Sequence, residues 1–132
     1  MPRGLVTWAI ALVALAAVLL GLALVGGPDH ARQQDRDRQR DQDLAQLASW
    51  AICLANETGA LPQVLAPSPA CDWRVPDADP RTGAAYRYQV TGPNAFRLCA
   101  DYELPPPRPG DRWARDAQGC LGRDWWPERR QP

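Results

Sequence analysis

Residues 5–25 read LVTWAIALVALAAVLLGLALV, a run without a charged side chain. As an α-helix this run would be about 31 Å long, which matches the hydrocarbon thickness of a bilayer. A helix in the core of a soluble protein would instead show polar residues along one face. We therefore predict that residues 1–27 form an N-terminal transmembrane anchor.

A cleaved signal peptide is the alternative interpretation of this run. The hydrophobic part of a signal peptide usually spans about 7–15 residues and ends at a small-x-small cleavage site. The present run is longer, and cleavage after Gly27 would leave Pro28 as the first residue. These features favour a retained anchor over a signal peptide.

The residues around the run predict its orientation. Arg3 precedes it, and positive charge tends to stay on the cytoplasmic side. We therefore expect a single-pass protein of a bacterial inner membrane, with its C-terminal domain in the periplasm. Within the run, Ala17 and Gly21 form a small-xxx-small pair, which predicts weak self-association.

The charge balance of the chain excludes one class of partner. The sequence contains 15 basic and 15 acidic residues, so its formal net charge is zero. Proteins that bind nucleic acids usually carry an excess of basic residues. We therefore expect no nucleic-acid partner for the single small domain that follows the anchor.

The charged segment at 28–43 predicts a helical stalk. Gly26, Gly27 and Pro28 should break or bend the membrane helix, and opposite charges then follow one another at three-residue steps. Such spacing supports a solvated helix, although a charge zipper to a partner is the alternative. We expect a water-exposed stalk in which Arg36→Ala changes stability very little.

Residues 44–132 predict an extracytoplasmic α+β domain, in which a helix packs on a small antiparallel sheet. Apolar residues from Leu44 to Ala55 repeat at helical spacing, and Gly59 ends the helix. A proline-rich loop and a turn at 79–83 follow. Residues 86–90 and 96–102 then alternate between apolar and polar, which is typical of a hairpin. A third strand at 120–126 is left open, because its pattern is mixed.

The four cysteines predict a domain stapled by two disulfides. Cys53, Cys71, Cys99 and Cys120 all lie beyond the anchor, without a Cys-x-x-Cys pair. In an oxidising compartment such cysteines usually form disulfides, while free thiols or a metal site are the alternatives. Cys53 falls on the helix side opposite Leu44, within reach of the loop, and Cys99 points away from the helix. We predict the pairs Cys53–Cys71 and Cys99–Cys120.

Several short motifs resemble, in their order, the pseudopilin-like envelope proteins of bacteria. The segments that look like the major-pseudopilin core of type II secretion systems are Asp43-Leu44 with Leu47, residues 59–62, residues 79–83 and Tyr86-Arg87-Tyr88. Leu98-Cys99-Ala100 is also similar to a motif of small, uncharacterised single-span bacterial proteins. The resemblance implies a helix-on-sheet fold and secretion-related assembly. The prepilin-peptidase site of true pseudopilins is absent, since residues 5–25 hold no carboxylate.

The resemblance also implies a calcium site in a loop between strands. Asp77 and Asp79 could supply oxygen ligands there, although Asp79 before a proline also fits a turn. The same two carboxylates are the basis for an alternative function, either a calcium-dependent binding module or a tethered hydrolase. We otherwise expect no metal and no cofactor.

The function predicted from the sequence is non-enzymatic. No nucleophile motif or phosphate-binding loop is recognisable. Trp113, Trp125 and Trp126 belong to a residue type enriched at interface hot spots, and they either contact a partner or pack on the domain itself. We expect a membrane-tethered envelope protein that acts through protein–protein interaction, with an unknown envelope protein as its partner.

Overall fold

The computed structural model describes residues 3–72, 74–106 and 114–127. Within these ranges, the helices and strands are α1 (Arg3–Val25), α2 (Pro28–Thr58), β1 (Arg87–Gly92), β2 (Ala95–Cys99) and β3 (Cys120–Asp124). The chain divides into two compact units, Met1–Asp35 and Arg36–Pro132, which we call the N-terminal unit and the C-terminal unit.

The N-terminal unit contains α1, which holds the predicted anchor. Its large apolar side chains, such as Leu5, Leu15 and Val25, are exposed. The helical stretch that includes α1 is long and apolar enough to cross a membrane. The prediction of an N-terminal helix with the properties of a membrane span is therefore confirmed.

The predicted break between the helices is also confirmed. Helix α1 ends at Val25, and Gly26 has a positive φ of 72°, a conformation that glycine adopts at little cost. Helix α2 then begins at Pro28, where the missing amide donor of proline is not needed.

In the C-terminal unit, one face of α2 forms the centre of the core. The buried apolar residues on this face include all those predicted from the helical spacing: Leu44, Leu47, Ala48, Ala51, Leu54 and Ala55. Trp50 joins them, and Gly59 with a φ of 78° follows the end of the helix at Thr58. The amphipathic interpretation is therefore confirmed.

The sheet has the strand order β1-β2-β3, with both pairs antiparallel. Val90 pairs with Phe96, and Leu98 lies between Tyr88 on β1 and Leu121 on β3. The seven residues that the alternation predicted all belong to the core or pack against it: Tyr86, Tyr88, Val90, Phe96, Leu98, Ala100 and Tyr102. The prediction extended the second strand too far, because β2 ends at Cys99 and Ala100 and Tyr102 follow it. The third strand, which the sequence left open, is present as β3.

Both predicted disulfides are confirmed. Cys53 is bonded to Cys71, and this bond ties the loop between α2 and β1 to the helix. Cys99 is bonded to Cys120, at the position where β2 and β3 pair. Together the two bonds close loops of 18 and 21 residues, which restricts the unfolded chain and so favours the folded one.

The prediction of a water-exposed stalk is wrong for its C-terminal part. Asp37, Arg40 and Asp43 are only 4%, 2% and 1% exposed. Asp29 and Arg32, in the first turns of α2, do remain exposed. The charge spacing alone could not separate these two cases, because the groups that bury the later charges come from distant parts of the chain.

Candidate functional site

A groove with a volume of about 670 Å³ lies between α2, the loop that follows it and the inner face of the sheet. Leu47 and Trp50 of α2 form one side, and Tyr86 and Tyr88 form another. Val64 is among the loop residues that complete it. Pockets of about 300–1,000 Å³ that are lined mainly by apolar and aromatic side chains are typical binding sites.

The aromatic walls of the groove are held in place by hydrogen bonds at their polar ends. The Nε1 of Trp50 donates to the carbonyl oxygen of Cys71 at 2.9 Å. The hydroxyl of Tyr86 donates to Asp43 at 2.7 Å, and that of Tyr88 donates to the carbonyl oxygen of Pro62 at 2.9 Å. Since these polar atoms already have partners, the rings offer apolar surface to the groove.

The loop side of the groove is fastened to α2. The Cys53–Cys71 disulfide provides a covalent link, and the hydroxyl of Ser68 donates to the carboxylate of Glu57. The backbones of Ser68 and Cys71 are also hydrogen-bonded to each other. A groove with walls fixed in this way needs little ordering when a ligand binds, which favours affinity.

Three charged side chains stand at the groove without an ion pair or hydrogen bond to another described residue. They are Asp72, Arg74 and Asp77, and all three are exposed. Two carboxylates and one guanidinium leave an excess of negative charge there. The described lining of the groove therefore combines apolar walls with one carboxylate more than guanidinium.

A cluster of six charged residues, four of them buried, supports α2 and the turn at 79–83. We call it the Arg40 cluster, and its members are Arg36, Asp37, Arg40, Asp79, Glu103 and Arg115. The guanidinium of Arg40 donates to Asp79 through Nε and to Asp37 through Nη1, both at 2.7 Å. It also lies 3.3 Å from Glu103. One cation thus joins α2 to two distant segments.

Asp37 fixes the chain that follows the sheet. Its carboxylate accepts hydrogen bonds from the backbone amides of Glu103 and Leu104, at 3.0 and 2.9 Å. Arg115 donates to the carbonyl oxygen of Leu104 and lies over the ring of Tyr102, 3.7 Å from its centre. Among the described residues, no buried side-chain polar atom lacks a partner. The cluster is therefore fully satisfied, as a buried polar network must be.

The contacts of Arg40, Asp79 and Glu103 shift the pKa of each in the direction that keeps it charged. Burial lowers the pKa of Arg40, but its hydrogen bond to Asp79 and its other ionic contacts outweigh this and leave the pKa above the ordinary value. Burial raises the pKa of Asp79, whereas the backbone amide of Arg81 and the guanidinium of Arg40 lower it more. The hydrogen bond from Arg36 holds the pKa of Glu103 below its usual range.

Asp77 and Asp79, the predicted calcium ligands, have different surroundings. Asp77 is exposed at the groove, whereas Asp79 is buried. One oxygen of Asp79 accepts the amide of Arg81 at 2.8 Å, and the other accepts Arg40. Within the described residues, no group of three or more His, Cys, Asp or Glu is arranged to hold a metal ion. The structure therefore assigns Asp79 to the turn and the cluster.

The predicted tryptophan contacts fall into three cases. Trp125 is buried, and its Nε1 donates to Asn56 at 2.7 Å. It therefore packs on the domain itself, which was one of the two interpretations. Trp126 is 71% exposed and is still a candidate for partner contact. Trp113 lies outside the described residues. On α1, Ala17 and Gly21 are exposed, and their predicted self-association stays a prediction.

Sequence reasoning missed the Arg40 cluster, although a signal for it exists. The buried positions of α2 follow alternating steps of three and four residues, and these steps continue backwards from Leu47 and Leu44 to Arg40 and Asp37. A charged residue at a position of the apolar stripe can be buried in an ion pair as well as exposed to water. Reading the stripe by position rather than by polarity would have placed Asp37 and Arg40 on the buried face of α2, but it would not have named their partners.

Comparison with known proteins gives no relative for this chain: no protein-family model, curated protein or solved structure matches it. The functional interpretation therefore depends on the groove, the helix α1 and the motifs themselves.

Proposed function

We propose that this protein is a membrane-tethered, non-enzymatic envelope protein that acts by binding another protein. The observation that carries this proposal is the groove, a fixed apolar concavity with unpaired charges beside it. The described residues that line it include no serine, cysteine or histidine that could serve as a nucleophile. Its chemistry suits recognition of a protein segment better than a reaction.

The location that we propose is the outer face of a bacterial inner membrane. An apolar helix exposed on all sides requires lipid or another apolar partner, and α1 has the length that a bilayer needs. The two disulfides of the C-terminal unit fit an oxidising compartment. With Arg3 on the cytoplasmic side, both features are satisfied by a single-pass protein whose C-terminal unit is in the periplasm.

The finer proposal is a pseudopilin-like role in secretion-related assembly. It is supported by contacts among the segments that carry the resemblance. Tyr86 of the Tyr-x-Tyr segment donates to Asp43, and Tyr88 donates to Pro62 of the Gly-x-Leu-Pro segment. The motifs thus meet around the groove, as parts of one structural unit would.

The experiment that tests the proposal is photocrosslinking in cells. Full-length protein with a photoreactive benzoylphenylalanine in place of Val64 should be recovered in the inner-membrane fraction, crosslinked to protein. The matched control carries the same group in place of Gln46, which is exposed on α2 but does not line the groove. Equal crosslinking from both positions, or recovery of the protein outside the membrane fraction, would contradict the proposal.

A further inference from the structure

We propose that the groove of one copy of this protein binds the segment that begins at Trp126 of a second copy. This inference builds on the proposed function and names the partner. In the sequence, Trp126 is followed by Pro127, Glu128, Arg129 and Arg130. The segment therefore combines an aromatic side chain with a short basic stretch.

The first support is a match between exposed apolar surfaces. Outside α1, the large hydrophobic side chains that are exposed among the described residues are Val64, at 75%, and Trp126, at 71%. Val64 lines the groove, whereas Trp126 does not line the groove of its own chain. Contact between two copies would remove both side chains from water, and Trp is prominent among hot-spot residues.

The space and chemistry of the groove also suit an indole. Its volume of about 670 Å³ exceeds the needs of one side chain, so that an adjoining proline can enter as well. The polar ends of Trp50, Tyr86 and Tyr88 are already hydrogen-bonded within their own chain. The partly exposed rings of Tyr86 and Tyr88 can therefore contact another aromatic ring without leaving a polar atom unpaired.

Charge complementarity is the second support. Asp72 and Asp77 outnumber Arg74 at the groove, and none of the three has a charged partner among the described residues. In the segment after Trp126, two arginines outnumber one glutamate. The two surfaces therefore carry opposite excess charge, which favours encounter and fixes the direction of binding.

The segment that begins at Trp126 starts from a fixed point of its own domain. Trp125 is held by Asn56 through its indole, and its backbone amide donates to the carbonyl oxygen of Asn94 at 2.8 Å. Trp126 follows this fixed residue and faces solvent. Two copies can exchange these segments reciprocally and form a closed dimer with two groove contacts. Anchoring in one membrane would raise the effective concentration of the two surfaces.

The test is photocrosslinking between isotopically distinct copies of the full chain. Copies with benzoylphenylalanine in place of Val64 are mixed in detergent with ¹⁵N-labelled copies of the natural sequence. Mass spectrometry should find crosslinked peptides that join position 64 of the unlabelled copy to residues around Trp126 of the labelled one. Crosslinks found only within one copy would overturn the proposal, because they would place the tail in its own groove.

Three variants sharpen the test: Trp126→Ala and the control Asp101→Asn in the labelled copy, and a double variant in the copy that supplies the groove. Trp126→Ala should lower the crosslink yield by about tenfold or more, the loss expected for a hot-spot tryptophan. Asp72→Asn combined with Asp77→Asn in the groove copy should lower it less and should weaken its dependence on salt. Asp101→Asn is the control, because Asp101 forms an exposed pair with Arg87 and does not line the groove.

The results also separate this inference from the proposed function. Crosslinks from position 64 to a different envelope protein in cells, unaffected by Trp126→Ala, would overturn self-association and leave the proposed function standing. A lack of any protein crosslink from position 64, both in cells and in the mixture, would overturn both. The substituted side chains are all exposed, so each variant should keep the circular dichroism spectrum of the natural protein.

Discussion

The buried face of α2 has two halves that are held by different chemistry. From Leu44 to Ala55 it is apolar, whereas from Asp37 to Asp43 it is charged. Both halves belong to the C-terminal unit, and their buried residues follow the same helical spacing. The apolar half gains stability from the area removed from water, and the charged half depends on complete pairing of its groups.

The two halves should respond differently when one side chain is substituted. Removing part of an apolar side chain leaves a cavity whose cost is limited by its volume. Removing one member of a buried ionic cluster leaves its partners charged and without compensation. The charged half should therefore be the more sensitive one, although it adds less to stability per unit of buried area.

The largest effect is expected for Arg40→Met. This change keeps much of the side-chain volume but leaves Asp37 and Asp79 buried without their main cation. Breaking a buried ion pair in this way typically costs about 3–5 kcal/mol of unfolding free energy. Denaturant unfolding of the full-length protein measures the loss. Arg32→Met, an exposed arginine on the same helix, is the matched control and should stay within about 0.5 kcal/mol of the parent.

A smaller loss is expected for Leu44→Ala in the apolar half. Leu44 is fully buried, so that its truncation removes apolar contacts and creates a cavity. Changes of this kind cost about 2–5 kcal/mol, and we expect a value near the lower end because small alanines of α2 lie nearby. The same unfolding experiment checks it, with Gln46→Ala on the exposed side of the helix as the control. A greater loss for Leu44→Ala than for Arg40→Met would reverse the order of the two halves.

Acid should weaken the charged half while leaving the apolar half unchanged. The pKa of Asp79 and that of Glu103 are lower in the folded chain than their ordinary values of 3.8 and 4.5. The unfolded chain therefore binds more protons in acid, and the free energy of unfolding falls as pH drops below about 4.5. In Arg40→Met this dependence should become flatter. An unfolding midpoint that is equally pH-dependent in parent and variant would contradict the assignment.

Alkali should act through the tyrosines that contact α2. Burial and the hydrogen bond to Asp43 raise the pKa of Tyr86, and burial and the bond to Asp41 raise that of Tyr102. A raised pKa favours the neutral hydroxyl in the folded chain, so this contribution is complete below about pH 10 and is lost as pH rises above it. Tyr86→Phe should reduce the alkaline loss of stability, as followed by denaturant unfolding between pH 9 and 11.

The smallest of these effects belongs to Arg36→Ala, at the edge of the charged half. Arg36 makes two hydrogen bonds to Glu103, at 2.7 and 2.6 Å, but both side chains are partly exposed. We now expect a measurable loss, which corrects the negligible effect predicted for a solvated stalk. It should be smaller than that of Leu44→Ala and larger than that of Arg32→Ala. Unfolding curves that coincide for Arg36→Ala and Arg32→Ala would support the original stalk instead.

Much of the fold could be predicted because its determinants are local. The apolar run of α1, the glycines before Pro28, the spacing from Leu44 to Ala55 and the strand alternation are all patterns within short segments. The disulfides followed from these patterns, because the side of the helix or strand on which each cysteine lies limits its partner.

The Arg40 cluster could not be predicted in the same way, because its contacts cross long stretches of sequence. Arg40 meets Asp79 and Glu103 only after the loop and the sheet have folded. The groove has the same origin, since α2, the loop and two strands each supply a wall. Trp125 and Trp126 show the same limit of sequence-based prediction. They are adjacent and of identical type, but Trp125 is buried and Trp126 is exposed, because opposite sides of the backbone meet the core and the solvent.

Hydrogen–deuterium exchange along α2 tests most directly whether the two halves form one buried face. In the full-length protein in detergent, we expect the amides of residues 37–43 to exchange as slowly as those of 44–55, because both halves open only when the C-terminal unit unfolds. The amides of residues 30–34 should exchange faster, since that part of α2 lies before the C-terminal unit. If residues 37–43 instead exchange as fast as 30–34, with slow exchange beginning only at Leu44, the charged half is a solvated stalk and the Arg40 cluster does not hold it.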